Sequence, residues 1–332
     1  MEKSILITGA SGFIGSSLVN EAIERGYRTY AGVRAHSSRK YLDHPGINFI
    51  ELDLDDPVTM DHALVSFKSR FGRPDFIIHA AGITKALHRW EYRKINFERT
   101  RDLVRMLIRE DIAPHKFIYI SSLSSFGPGE KGAPITAYQE KRPVSEYGKS
   151  KLATEQFLHG LEDFPFVIIN PTAVYGPRDK GFLLVMKSIQ KHLEIKIAGA
   201  GEQLSFVHVD DLCQAVFLCM ESAPVRRQFL VSDLEAYTEK DFNGIVRAGL
   251  RRKTISMTLP VWMAKGAVWA TEALGRISGK AVLLNRDRFP EFAAANWGVD
   301  CSEIAALGFR PRHDLKQGLD QTIRWYQKEG WL

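Results

Sequence analysis

The sequence predicts an α/β protein in which a doubly wound parallel sheet carries a smaller C-terminal cap, and three observations predict it. Short apolar runs alternate with helical patterns through the first half, which calls for βαβ units and a sheet buried on both faces. A glycine-spaced turn joins the first run to the first helical pattern, the arrangement that lets an anion approach a helix N-terminus. Beyond Pro171 the alternation gives way to Pro and Gly punctuation, at Pro177 and Gly199 to Gly201, and to helices near 260 to 275.

At 332 residues, 45% hydrophobic and 25% charged, the chain suits one large or two coupled domains. We expect residues 1–171 to form a nucleotide-binding domain of Rossmann type, with a segment near 205–233 returning to it and 172–332 mainly forming the cap. The net charge of +6 is spread through the chain with no polybasic block, so a small anionic molecule is a more economical partner than nucleic acid. Cys213, Cys219 and Cys301 form no CxxC pair, which argues against a disulfide framework and against a metal site. The opening "MEKSILITGASG" lacks the basic and apolar regions of a signal peptide, and a cytoplasmic location is expected. The stretch "LPVWMAKGAVWATEALG", Leu259 to Gly275, is interrupted by Lys265 and Glu272. It reads as a partly buried amphipathic helix rather than a span, with a greasy lid or peripheral membrane contact as the alternative.

Taken in order, "SILIT" is the first strand and "SSLVNEAIERG" the first helix. Between them Gly9, Gly12 and Gly15 have the spacing GxxGxxG. Without side chains there, a pyrophosphate can sit against the helix N-terminus; the competing reading is tight strand–helix packing. After the second strand, "RTYAGV", Arg34 stands where an NAD enzyme usually has an acid for the ribose 2'-hydroxyl, with Ser37, Ser38, Arg39 and Lys40 behind it. A guanidinium can grip a 2'-phosphate, so NADP(H) is expected over NAD(H) unless Arg34 is only a solvated charge. Asp53 follows the third strand, "INFIEL", and serves either the adenine amino group or the cap of the next helix, "VTMDHALVSF".

"DFIIHAA" is the fourth strand and "NFERTRDLVRMLIRE" the helix after it. "KFIYIS" is the fifth strand, and it runs into "SSLSSFG", which puts hydroxyls at the edge where open α/β sheets bind ligands. In "YGKSKLATEQFLHGL", Tyr147 and Lys151 lie four apart, on one face of a helix. A cation beside a phenol favours the phenolate and makes it a proton donor and acceptor near neutral pH. Alone, the pair reads equally as a solvated helix face. "FVIIN" completes the strands before Pro171.

Together "TGASGFIG", "HAAG", Asn96, "SSLSSFG", "YGKSK", "PTAVYGPRD" and "FVHVDD" resemble the extended short-chain dehydrogenase/reductase family, also called the NAD-dependent epimerase/dehydratase family. The resemblance runs from about Ile5 to "GLDQTIRWYQKEGWL". It implies that Tyr147 is the acid/base, that Lys151 lowers its pKa and holds the nicotinamide ribose, and that Ser122 hydrogen-bonds the substrate oxygen. Ser122 fits by lying four residues before Phe126 and 25 before Tyr147, with Ser124 as the fallback. Asn96 is implied to support Lys151 through backbone or water, and Pro171 to place the carboxamide. The implied cofactor contacts are Gly9, Ser11, Gly12, Phe13, Ile14, Gly15, Arg34, Asp53, Leu54, Ala80, Ala81, Gly82, Tyr147, Lys151, Pro171, Ala173 and Val174. The implied substrate contacts are Thr84, Ser124, Tyr175 and Leu204, and no metal is implied.

Fold alone does not set the reaction. The family's dehydratases carry Asp-Glu after the active-site Ser/Thr, where this chain has Leu123 and Ser124. Its nucleotide-sugar enzymes often carry an Asn where this chain has Ala173, and Arg-Asp where it has Leu204 and Ser205. The cap pattern resembles the dihydroflavonol reductase and 3β-hydroxysteroid dehydrogenase branch, whose substrates are largely apolar. The expectation is therefore an NADP-dependent oxidoreductase for a small apolar carbonyl or alcohol, with a nucleotide-sugar 4-epimerase or reductase as the alternative. A dinucleotide-sensing protein without turnover is a third reading, and the Ser122, Tyr147, Lys151 set argues against it. The helices after "HAAG" and at "YGKSK" are expected to pair in a homodimer, as in many relatives.

Overall fold

The computed structural model describes residues 2–279 and 281–332. Seven parallel strands form the main sheet: β1 (Ser4–Thr8), β2 (Arg28–Val33), β3 (Asn48–Glu51), β4 (Phe76–His79), β5 (Lys116–Ile120), β6 (Phe166–Pro171) and, later, Arg227–Val231. Their side chains alternate between two cores. Ile5, Ile7, Ile78, Ile118, Val167 and Ile169 face one way, and Leu6, Ile77, Phe117, Tyr119, Phe166 and Ile168 face the other. This is why the strands read as unbroken apolar runs rather than alternating ones. Each such buried side chain contributes about 1.5–3 kcal/mol relative to exposure.

Helices α1 (Phe13–Glu24), α2 (Pro57–Phe71), α3 (Arg89–Tyr92), α4 (Arg99–Arg109) and α5 (Glu146–His159) connect these strands, with a π-helical turn, Arg93–Glu98, between α3 and α4. The chain winds from β1 outward to β3, then returns so that β4 pairs with the other side of β1. The crevice beyond the C-terminal ends of β1 and β4 is therefore the switch point where open α/β sheets take their ligands. There Thr8 Oγ1 and His79 Nδ1 share a buried hydrogen bond of 2.7 Å.

The rest of the chain is β7 (Ala173–Tyr175), α6 (Gly181–Gln190), β8 (Leu193–Ile197), β9 (Phe206–His208), α7 (Val209–Ser222), β10 (Arg227–Val231), α8 (Glu239–Leu250), β11 (Ile255–Leu259), α9 (Val261–Ile277), α10 (Phe289–Phe292), α11 (Ser302–Ala306) and α12 (Leu315–Lys328). Strand β10 lies beside β6 in the main sheet, and α7 packs into the same core as α1. Helices α6, α8 and α12 enclose a separate aromatic core with Tyr175 and Phe206. Two parallel strand pairs, β7–β9 and β8–β11, complete this part. The three cysteines are buried and unpaired. Among the described residues no helix is long and apolar enough to cross a membrane.

Candidate active site

Strand β5 delivers the chain into a short 3₁₀ turn, Leu123–Ser125, whose N-cap is Ser122. The backbone N–H of Ser124 donates to Ser122 Oγ at 3.2 Å. Buried Glu155 fixes this loop from beneath: it accepts from the hydroxyls of Ser121 and Ser125, the latter at 2.8 Å, and from Asn170 Nδ2 at 2.6 Å. Lys141 Nζ, 2.5 Å away, balances its charge. Helix α5 then presses its first turn against the loop. That contact needs Gly148, because a Cβ there would stand 2.3 Å from the Ser124 carbonyl oxygen.

Helix α5 starts at Ser145, which caps Gly148 N–H at 2.9 Å. Asp287 accepts from the Glu146 N–H at 3.0 Å, and one turn in stand Tyr147 and Lys151, both almost fully buried. Burial pushes the Tyr147 pKa up, while the Arg288 charge and the neighbouring Ser122 hydroxyl pull it down. The Arg288 guanidinium lies over the phenol ring, 4.3 Å from its centre, and Tyr92 meets the ring edge-on. Lys151 turns elsewhere: its Nζ donates to the Ile120 carbonyl at 2.9 Å and lies over Tyr119. Burial pushes its pKa down to about 8, with Glu155 opposing. The guanidinium of Arg288, which sequence reasoning did not single out, is thus a further cation beside the phenol.

Asn96 lies in the π-helical turn, buried. Its side chain clamps the loop after β4, accepting from the Ile83 N–H at 2.8 Å and donating to the Ile83 carbonyl at 3.1 Å and to Ser150 Oγ at 3.0 Å. Its carbonyl takes the hydroxyls of Thr100 and Thr154, as a widened turn allows. These bonds tie the loop after β4 to helix α5 one residue before Lys151.

At the switch point, two of the three glycines are demanded by packing alone. Gly9 has φ +68° and a Cβ there would stand 2.6 Å from Ala81 N, while one on Gly15 would stand 2.1 Å from the Gly9 oxygen. Gly12 is exposed, and the α1 N-terminus behind it carries no side-chain cap and no acid in its first turn. Open amides at the positive end of a twelve-residue helix suit a pyrophosphate. Ser11, Phe13 and Ile14 are partly exposed around this turn, Ala80 and Ala81 partly and Gly82 more so across it. Lys151 Nζ is 3.6 Å from where a Gly82 Cβ would begin. The donor set and the open cradle fit a dinucleotide. Arg34 is exposed just past β2, 3.9 Å from Asp55. Asp53 accepts from the Asp55 N–H at 2.9 Å; the cap of α2 is Asp56, not Asp53. Leu54 packs its side chain onto the sheet core. Pro171 ends β6 opposite Val231, and β7 follows with Ala173 exposed and Val174 packed on the core.

Residues 5–231 match the profile of the NAD dependent epimerase/dehydratase family. The chain belongs to that family. This epimerase/dehydratase-family enzyme is 27% identical to the UDP-glucose 4-epimerase of Vibrio cholerae, across 98% of this chain and 95% of that one. It is 24% identical to the decarboxylating sterol-4-alpha-carboxylate 3-dehydrogenase of Dictyostelium discoideum, across 96% and 99%. The crystal structure of a UDP-glucose 4-epimerase from Thermus thermophilus, in complex with NAD, has the same fold, with a TM-score of 0.78 at 19% identity over 98% and 99% of the two chains.

The residues expected to meet substrate do not all gather at the tyrosine of this family enzyme. Ser124 does, and its hydroxyl donates to Glu291 at 3.2 Å. Thr84 does through its carbonyl, which accepts from Arg288 Nη1 at 3.0 Å. Tyr175 is instead fully buried among Phe182, Phe206 and His208, because Gly318 leaves room only for its ring. Leu204 packs on that same core and its backbone pairs with Tyr237. The sequence reading missed the segment from Asn285 to Glu291. There Arg288 bonds Glu291 at 2.7 Å, Glu291 accepts from Ser145 Oγ, and Asn285 reaches the Tyr92 hydroxyl at 3.5 Å. No sequence signal joins this segment to a helix more than a hundred residues earlier. Glu155 was also missed, although it continues the face of Tyr147 and Lys151 at the next turn.

Proposed function

We propose that this family enzyme is an NAD(P)-dependent oxidoreductase that moves a hydride between NADP(H) and the carbonyl or alcohol carbon of a small apolar substrate. The observation that carries the reading is the convergence of the Ser122 hydroxyl and the Tyr147 phenol at the C-terminal edge of β5, with Lys151 Nζ beside Gly82. A bound nicotinamide supplies or accepts the hydride. Ser122 then holds the substrate oxygen while Tyr147 gives or takes its proton, stabilising the alkoxide charge that develops there. Lys151 and the α1 N-terminus hold the dinucleotide, and Arg34, with Arg39 and Lys40 behind it, favours the 2'-phosphate.

Three positions support a substrate without a sugar diphosphate. Ala173 and Leu204 offer it no polar group, and the Ser205 hydroxyl is spent on the Glu235 carbonyl at 3.4 Å. Leu123 and Ser124 supply no Asp-Glu pair for dehydration. The sterol-4-alpha-carboxylate dehydrogenase relative is named for a sterol rather than a sugar nucleotide. The epimerase relatives favour a second reading, in which the same tyrosine works on a transient 4-keto sugar and the cofactor is recycled. Reduced-nicotinamide consumption against a panel of apolar ketones and aldehydes, with UDP- and dTDP-sugars in parallel, tests both. Stoichiometric cofactor loss with an apolar carbonyl is the expected result; sugar interconversion without net loss contradicts it.

A further inference from the structure

Helix α9 lies on the protein with only Ala264, Val268 and Gly275 buried, a single narrow stripe at helical spacing. The side turned away from the protein carries Trp262, Met263, Trp269, Leu274 and Ile277, with Trp262 72%, Leu274 66% and Ile277 85% exposed. Only Gly266, Ala270 and Ala273 lie between them at 100° per residue. The helix's three charges, Lys265, Glu272 and Arg276, all fall beside the buried stripe rather than opposite it. A solvent-facing helix surface should be its polar one; here it is apolar throughout. The same character continues onto the strand pair beneath: Ile197 and Leu259 bring α9 to one face, and Ile195, Met257 and Ile255 share that face, exposed.

We propose that α9 and this strand pair seat the enzyme on the surface of an anionic lipid bilayer. Three arguments select that occupant. The first is charge. From Arg251 to Lys280 the sequence carries six Lys or Arg against one acid, Glu272. Arg251, Arg252 and Lys253 are exposed in the turn between α8 and β11, and Glu272 is neutralised between Arg276 at 2.7 Å and Arg286 at 3.3 Å. An apolar face rimmed by bases, with tryptophans on it, is the composition that lies in a headgroup layer. The second is area. A 17-residue helix presents a face of about 25 by 10 Å and the strand pair about 17 by 10 Å, together about half of the ~800 Å² per partner of a standard interface, which disfavours a second copy. The helix is also too short and too charged to span, so it lies on the bilayer.

The third is continuity with the active site. Phe289 packs against Ala264 and Val268 of α9 and is adjacent in sequence to Arg288, which covers Tyr147. Glu272 of α9 also accepts from the Arg286 N–H at 2.8 Å. The segment that roofs Tyr147 is thus packed directly on α9, and an apolar substrate can enter from the membrane beside it. That last step rests on the oxidoreductase reading; the docking does not.

Vesicle flotation of the full chain tests it, with phosphatidylcholine alone and phosphatidylcholine mixed with phosphatidylglycerol. Wild type should float with the mixed vesicles and less with the neutral ones, losing binding as salt is added. The double variant Trp262→Glu/Ile277→Glu should cut the bound fraction at least about tenfold, with an unchanged melting curve because both side chains are exposed. Arg251→Glu/Arg252→Glu/Lys253→Glu should lose the preference for phosphatidylglycerol. Wild type that floats with neither vesicle overturns the proposal, as does a double variant that binds like wild type. A dimer that the double variant splits, without vesicle binding, assigns the face to a second copy and overturns it too. Flotation needs no substrate, so its failure and that of the oxidoreductase reading are told apart by the ketone panel.

Discussion

The Arg288 guanidinium stands 4.3 Å from the centre of the Tyr147 ring, close enough for its charge to act on the phenol. Burial raises the Tyr147 pKa and Arg288 lowers it. Arg288→Leu removes the lowering contribution, so the pKa rises further. Alcohol oxidation needs the phenolate, and its rising pH limb should move to higher pH in the variant while Arg288→Lys moves it less. A pH–rate profile that does not move contradicts the assignment.

Removing the phenol hydroxyl tests its role as acid/base. Tyr147→Phe should lower turnover by roughly 10²–10⁴-fold, and Ser122→Ala by roughly 10²–10³-fold as the loss of one oxyanion donor. Dinucleotide affinity, read by fluorescence titration, should change little in either. A fully active Tyr147→Phe protein would refute the role.

Lys151 carries a pKa pushed down to about 8 by burial. An anionic dinucleotide favours the charged lysine, so binding should take up protons around that pH and weaken as pH rises through it. Calorimetry in buffers of different ionisation enthalpy reads the uptake. Lys151→Met should abolish it; uptake unchanged in that variant would rule Lys151 out.

Arg34 is exposed at the end of β2 with one distant carboxylate partner. Arg34→Ser should cost NADPH about tenfold to a hundredfold in kcat/KM, the worth of a charge-assisted bond of ~1.5–3 kcal/mol, and leave NADH nearly unaffected. Equal losses with both cofactors would show that Arg34 does not read the 2'-phosphate.

Glu155 is buried with Ser121, Ser125, Asn170 and Lys141 around it. Glu155→Ala strands Lys141 and frees the Ser122 loop, so denaturation should show a loss of about 3–5 kcal/mol. A loss under about 1 kcal/mol would mean the network is not holding the loop.

Much of this was legible in the sequence because it is written locally. Strands buried on both faces read as unbroken apolar runs, and Tyr147 and Lys151 declare a shared face by spacing alone. Glu155 was equally legible, one turn further on, but a lone acid in a helix gives no sign that it is buried. Asp53 and Asp56 both precede α2, and only the backbone bends decide which one caps it. Tyr175 sits beside a glycine and a proline that suggest a binding loop, yet its place in the core depends on Gly318, far along the chain. The roof over Tyr147, from Asn285 to Glu291, is tertiary in the same way: its partners are Ser145, Glu146 and Tyr92, and no periodicity connects them.

Net hydride transfer to an apolar carbonyl is tested most directly by transfer of deuterium from reduced nicotinamide labelled at its reactive carbon. The expected result is one deuterium on the product's carbinol carbon per cofactor oxidised, formed roughly 10²–10⁴-fold more slowly with Tyr147→Phe. Unlabelled apolar product, or sugar epimerised with the cofactor unconsumed, would contradict it.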